Sequence, residues 1–237
     1  METENKTQSN PYVIPAAIVV AGALIAGAVV FSQNSDISKS GTASIVGDQV
    51  LTDENPAPKP LNISIDLNDW PAIGNTDAPV VLAEYADFAC PYCAKFAADT
   101  LPSIKKDYVD TGKILLIYKD FPVVGGDRAA EAAHCAREQG KYWEYHNLLF
   151  EKQSSDRGAW NTAEAHRAYA ESLGLDADAL VSCLNDSKYQ SKVQASAAEA
   201  MQNGGQGTPF FIVNKTPISG AQPYSVFQAA IEAELAK

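Results

Sequence analysis

The chain has 237 residues, enough for one domain of ordinary size with additional segments, or for two small domains. Hydrophobic residues make up 46% and charged residues 20%, which excludes a wholly disordered chain and is too polar for a protein with many membrane spans. The net charge of −11 opposes binding to phosphate backbones, and because no local basic patch compensates for it we expect no nucleic-acid partner.

The N-terminal part is dominated by one apolar run. After a short polar tail of residues 1–11 come twenty uncharged residues, 12–31, which as an α-helix span about 30 Å, the thickness of a bilayer's hydrocarbon core. This predicts a transmembrane anchor. The small residues 26–28 also fit a signal-cleavage site, so a secreted form is the alternative, but the run is longer than a usual signal core. Residues 32–65, polar and Pro-containing towards the end, predict a flexible linker.

Residues 66–237 begin with a strand that leads into a Cys-x-x-Cys motif. Residues 80–88, VVLAEYADF, are β-branched and aromatic and end just before Cys90-Pro91-Tyr92-Cys93. Residues 94–112 predict a helix that is interrupted near Pro102, and residues 113–121 predict the next strand. A strand, a helix and a strand in this order form a right-handed βαβ unit.

Residues 127–203 are rich in Ala, Glu, Gln and Lys and predict an all-helical insertion. Two of its helix start signals are Asp127 and the pair Asn161 and Glu164, which resembles a capping box. The remaining residues predict two short strands and a closing helix that starts at Pro223.

The order of the first two cysteines predicts their chemistry. Cys90 lies at a helix start, where free backbone N–H groups and the positive end of the helix dipole favour a thiolate, whereas Cys93 lies one turn further in and is shielded. We therefore expect Cys90 to be the nucleophile and Cys93 the resolving thiol. A zinc ribbon would need a second closely spaced pair, and Cys135 and Cys183 are 48 positions apart, so we expect neither a metal nor a cofactor beyond the redox-active disulfide.

Further motifs occur in an order that is typical of one family. They are Thr100-Leu101-Pro102, Lys119-Asp120-Phe121-Pro122, a helix around Cys135 to Phe150, Gly207-Thr208-Pro209 and Gly220-Ala221-Gln222-Pro223. Together with the Cys-Pro-Tyr-Cys motif, they resemble the DsbA-like branch of the thioredoxin-fold thiol-disulfide oxidoreductases over residues 66–237. The resemblance implies an α/β, thioredoxin-like fold that carries the helical insertion.

The resemblance also assigns the residues around the cysteines. It implies that Thr208-Pro209 is a cis-proline loop that faces the cysteines and receives an extended substrate backbone, although the residues alone favour a trans bond. Pro91 and Tyr92 form the active-site loop, in which Tyr92 either tunes the thiolate or covers the helix start.

By the same resemblance, Glu84 is the buried acid beneath the disulfide and exchanges a proton with Cys93. The strand pattern by itself also allows a surface glutamate at this position. The resemblance also implies Lys119 as the partner of that acid, whereas its place at a strand end favours an exposed lysine.

Cys135 and Cys183 both lie in the helical insertion. They are either free buried thiols or a structural disulfide that ties two helices, and an oxidising compartment favours the disulfide. Neither has a neighbouring cysteine two residues away from which a second catalytic pair could form.

These inferences predict an enzyme that is anchored by one helix and exchanges disulfides with exported proteins outside the cytoplasm. The expected partners are folding proteins with free thiols and, by resemblance, a quinone-linked membrane protein that reoxidises the cysteine pair. The absence of an obvious dimerisation domain favours a monomer. A reductase or isomerase that uses the same cysteines, and a non-enzymatic peptide-binding module, are the alternatives.

Overall fold

The computed structural model describes residues 63 and 66, residues 69–155 and residues 159–237. The predicted tail, the predicted transmembrane run and nearly all of the predicted linker lie outside these described residues. Within the described part of the chain, no helix is both long enough and apolar enough to cross a membrane.

Five strands of the described chain form one sheet, in the order β1-β3-β2-β4-β5. The strands are β1 (Ala72–Gly74), β2 (Val80–Ala86), β3 (Ile114–Asp120), β4 (Phe210–Val213) and β5 (Thr216–Ser219). The central strands β2 and β3 are parallel, and the other neighbours pair antiparallel. Both central strands are apolar along most of their length because helices cover both faces of the sheet.

The crossover between β2 and β3 contains the predicted helix and its interruption. It consists of α1 (Pro91–Asp99), α2 (Leu101–Ile104) and one turn of π-helix (Lys105–Val109). Thr100 separates the first two helices. Pro102 falls in the first turn of α2, where a missing N–H leaves no helical hydrogen bond unmade.

The insertion between β3 and β4 is helical, as predicted. Its helices are α3 (Asp127–Glu138), α4 (Tyr142–Ser155), α5 (Ala163–Ser172), α6 (Ala177–Asn185) and α7 (Gln190–Gln202). The start signals are displaced by one residue. Gly126, not Asp127, is the N-cap of α3, and the hydroxyl of Thr162, not the side chain of Asn161, caps α5 by accepting from the Ala165 N–H at 3.2 Å.

Separate cores form on the two sides of the active-site helix. On one side, Phe96 of α1 packs against Phe211 of β4 and Phe227 of α8 (Tyr224–Leu235), with ring centroids 4.4 and 5.2 Å away. On the other side, Phe88 and Tyr118 stack at 5.3 Å within the core of the insertion, which also includes both active-site cysteines. The Cys-x-x-Cys turn therefore belongs to the core of the insertion, and the next turn of α1 enters the other core through Phe96.

Candidate active site

The two cysteines lie where β2 leads into α1. Cys90 is the N-cap residue of α1, Pro91 is its first residue and Cys93 lies in its first turn. Both cysteines carry free thiols. Cys90 keeps 5% of its surface exposed and Cys93 keeps none, so Cys90 is the more accessible of the two.

The two thiols have opposite electrostatic environments. A hydrogen bond from Cys93 is the main cause that lowers the pKa of Cys90 to about 5; burial opposes this, while Thr208 and the backbone N–H groups of Cys93 and Tyr92 favour the thiolate further. Burial is the main cause that raises the pKa of Cys93, and the hydrogen bond to Cys90 raises this pKa further. The proton of the pair therefore resides on Cys93 and the negative charge on Cys90.

The loop before β4 faces the accessible cysteine. The Thr208–Pro209 peptide bond is cis, and the Cys90 sulfur lies 3.3 Å from the Thr208 carbonyl oxygen, to which it donates in its protonated form. The Pro209 carbonyl oxygen accepts from the Gly220 N–H at 2.8 Å, which ties this loop to the residue after β5. The structure thus brings together Cys90 and Thr208, which are 118 positions apart in sequence.

Glu84 lies on β2 beneath the cysteines. It is 1% exposed, and burial raises the pKa of its carboxyl group to about 8. Its charge is among the causes that raise the pKa of Cys93, so the two groups are electrostatically coupled. The surface-glutamate alternative does not hold, and the acid is buried as the resemblance implies.

Comparisons with known proteins agree with this geometry. The family model described as "Thioredoxin" matches residues 68–233. The probable disulfide bond formation protein D of Bacillus anthracis is 30% identical over 173 residues, which cover 70% of this chain and 78% of that protein. Oxidised BdbD from Bacillus subtilis has a crystal structure with a TM-score of 0.67 and 28% identity, covering 73% of this chain and 96% of that chain. Wolbachia pipientis α-DsbA1 gives a TM-score of 0.65 and 27% identity, with 72% and 93% covered.

The chain belongs to the DsbA-like thioredoxin-fold oxidoreductases. The predicted family and enzyme class are confirmed, and the protein is a protein-disulfide oxidoreductase.

In this DsbA-like oxidoreductase, both predictions for Lys119 are wrong. Lys119 is fully buried, and its Nζ donates to both carboxylate oxygens of Glu199 at 2.7 Å rather than to Glu84. The register explains the difference, because Lys119 pairs with Tyr85 and Glu84 pairs with Tyr118 across β2 and β3. Successive side chains of a strand point to opposite faces, so the acid and the lysine are on different sides of the sheet.

The other two cysteines form a disulfide within the insertion. Cys135 on α3 is bonded to Cys183 on α6, with their Cα atoms 6.0 Å apart. This leaves the Cys90–Cys93 pair without the second pair that a zinc ribbon needs. Among the described residues, no group of three or more His, Cys, Asp or Glu side chains is placed to hold a metal ion.

The structure adds Asp87, which sequence reasoning missed. Its carboxylate accepts from the N–H groups of Ala89 and Val124, both at 2.7 Å. Its own backbone N–H points to the Cys93 sulfur at 3.5 Å, and its carbonyl oxygen accepts from the Cys90 N–H at 3.0 Å. The only signal in the sequence is an acidic residue three positions before the first cysteine of the motif.

Apolar side chains are exposed close to Cys90. Tyr92 in the motif is 65% exposed, and Val123 and Val124, in the loop held by Asp87, are 47% and 57% exposed. A groove of about 1110 Å³ starts at Ala89 and Pro91 and continues between α1 and α4. Exposed apolar side chains beside a groove are typical of a surface that binds other proteins or peptides.

Proposed function

We propose that this DsbA-like oxidoreductase is a membrane-anchored oxidase that introduces disulfides into exported proteins, with Cys90 as the nucleophile and Cys93 as the resolving thiol. The observation that carries the proposal is the set of contacts that lowers the pKa of Cys90 to about 5. A stable Cys90 thiolate lowers the free energy of the dithiol form. The more stable the dithiol form is, the more strongly the disulfide form oxidises other thiols.

In the proposed cycle, a substrate thiolate attacks the Cys90 sulfur of the Cys90–Cys93 disulfide. The S–S bond breaks, Cys93 leaves and takes up a proton, and a mixed disulfide joins Cys90 to the substrate. A second substrate thiolate then attacks the substrate sulfur of the mixed disulfide, which forms the substrate disulfide and releases Cys90 as a thiolate. The substrate loses two electrons, and the enzyme gains them as the dithiol.

Glu84 and Thr208-Pro209 have supporting roles in this cycle. Because its pKa is about 8, the Glu84 carboxyl group is mostly protonated at neutral pH and can supply the proton that Cys93 needs as it leaves. The same group accepts that proton when the pair is reoxidised. The cis-proline loop lies against the Cys90 sulfur, where an extended substrate segment would align beside the reacting sulfur atoms.

The proposed location is outside the cytoplasm, with residues 12–31 as the anchor and residues 32–65 as the linker. An oxidant of thiols is useful only where cytosolic reductants do not compete, and a structural disulfide such as Cys135–Cys183 suits the same compartment. We infer that the substrates are exported proteins with free thiols. A membrane-bound, quinone-linked protein would accept the electrons from the reduced pair.

Equilibration of the purified protein with a glutathione redox series tests the direction of transfer. The proposal expects a reduction potential well above that of thioredoxin, about −270 mV. A value at or below that of thioredoxin would identify a reductase instead.

Trapping experiments test the assignment of the two thiols. Cys93→Ser should accumulate mixed disulfides with exported proteins, because its Cys90 thiolate attacks substrate disulfides and Cys93 is no longer there to displace the substrate again. The matched Cys90→Ser variant should trap few. Equal trapping by both variants would contradict the assignment. A reporter fused after Lys237 that is active only in the cytoplasm would contradict the proposed topology.

A further inference from the structure

The carboxylate of Asp87 takes no part in the proposed cycle, although it lies between the two loops that flank Cys90. Asp87 is 1% exposed. One carboxylate oxygen binds the N–H of Ala89, in the turn that carries Cys90, and the other binds the N–H of Val124, 37 positions later in the chain. The carboxylate is therefore the link between the motif and the exposed Val123–Val124 loop.

Gly126 shows that the fold leaves room for this carboxylate. A Cβ atom at Gly126 would lie 2.0 Å from Asp87 Oδ1 and 3.0 Å from the Ala89 backbone nitrogen. The φ angle of Gly126 is −86°, which any residue can adopt, so it is space rather than backbone conformation that requires glycine here. The site for the Asp87 carboxylate is thus built from two hydrogen-bond donors and a missing side chain.

The charge of Asp87 acts on the reactive thiol. Burial raises the pKa of Asp87 to about 6, the N–H groups of Val124 and Ala89 oppose the rise, and the negative charges of Cys90 and Asp127 add to it. Because electrostatic coupling is reciprocal, a charged Asp87 must in turn disfavour the Cys90 thiolate.

The other titratable groups around the motif and Asp87 are Cys93 on α1, Glu84 on β2, Tyr118 and Asp120 on β3, Asp127 on α3 and His146 on α4. Of these, Glu84 acts on Cys93, and its charge is neutralised near pH 8 and below. The carboxylate of Asp120 contacts the Nε2 atom of His134 on α3 at 2.7 Å. Asp87 is the acid closest in sequence to Cys90, and the charge of Cys90 acts on it.

We propose that Asp87 is a positioning residue of the active site, whose carboxylate fixes the Val123–Val124 loop beside Cys90 and whose negative charge limits how strongly oxidising the Cys90–Cys93 disulfide becomes. The inference rests on the proposed thiol-disulfide exchange at this pair. One buried side chain thus positions the exposed apolar Val123–Val124 loop and also restrains the redox equilibrium of the Cys90–Cys93 pair.

The decisive variant is Asp87→Asn, which keeps the shape but removes the charge and one of the two acceptor oxygens. In the full-length protein, we expect the effect on the redox equilibrium at about pH 7, where Asp87 is charged because its pKa is about 6, and not at about pH 5, where Asp87 is mostly protonated. The equilibrium constant with glutathione should shift about tenfold towards a more oxidising disulfide, equivalent to about 30 mV. Hydrogen exchange at the Val124 amide should become faster because its acceptor is weakened.

Two matched variants separate charge from packing. Asp127→Asn removes a nearby charge on the exposed side of α3 without touching either loop, and should move the glutathione equilibrium at about pH 7 much less than Asp87→Asn does. Gly126→Ala keeps the Asp87 charge but displaces the carboxylate, so it should speed exchange at the Val124 amide without shifting the glutathione equilibrium towards a more oxidising disulfide. This variant also keeps the idea testable if Asp87→Asn fails to fold.

The inference is overturned if Asp87→Asn leaves the glutathione equilibrium at about pH 7 unchanged, or if Gly126→Ala shifts that equilibrium as far as Asp87→Asn does. Failure of the underlying function gives a different result. In that case the unsubstituted protein itself would not form a Cys90–Cys93 disulfide in the glutathione series.

Discussion

Replacing Glu84 by glutamine should stabilise the protein, and the gain in free energy of unfolding over the unsubstituted protein should grow as the pH rises from acidic to neutral. In the folded protein, burial raises the pKa of Glu84 from its ordinary 4.5 to about 8. The unfolded chain therefore loses this proton at lower pH than the folded protein does. Between the two pKa values, release of the proton favours the unfolded state, and increasingly so as the pH rises. Each pKa unit corresponds to about 1.4 kcal/mol, so the penalty at pH 7 is about 3 kcal/mol.

Glutamine has nearly the same shape and carries no charge at any pH, so it removes this penalty. Urea unfolding of residues 66–237 at about pH 4.5 and about pH 7 measures the effect. The difference in free energy of unfolding between Glu84→Gln and the unsubstituted protein should grow by about 3 kcal/mol between the two conditions. The matched control is Glu164→Gln on the exposed surface of α5, for which the difference should stay small. A difference for Glu84→Gln that does not change with pH would refute the buried, proton-holding glutamate.

Two further predictions concern stability. Replacing both Cys135 and Cys183 by alanine should lower the free energy of unfolding by about 2 to 4 kcal/mol, because the bridge closes a loop across 48 positions. The glutathione equilibrium of the Cys90–Cys93 pair should stay the same in this variant, and a shift would contradict the separation of the two cysteine pairs. Lys119→Met should cost about 3 kcal/mol in denaturant unfolding, since it removes a buried cation from the Glu199 carboxylate. Lys95→Met, in an exposed ion pair, should cost less than about 1 kcal/mol. Equal losses for the two lysines would show that burial does not strengthen the first pair.

The local features of the active site were predictable from sequence because neighbours along the chain determine them. A β-branched run, then two cysteines around Pro91, then a helix places Cys90 at a helix N-terminus whatever the rest of the fold does. The helical insertion was predictable for the same reason, since composition and start signals act over a few residues. Only the cap positions moved, as with Thr162 in place of Asn161, because a neighbouring hydroxyl can satisfy the same N–H groups.

Other features depended on residues that only the tertiary structure brings together. The edge strand β1 has three residues, too few to show a periodic pattern. The partner of Lys119 is 80 positions away on α7, and the choice of Glu199 over Glu84 follows from the face of β3 on which the lysine lies, which depends on strand register. The link from Asp87 to Val124 likewise depends on how the chain returns after β3 to the start of α3. The sequence alone thus determined which residues carry the chemistry, and the tertiary structure decided which charges surround them, because pairing across a fold is set by the packing of distant segments.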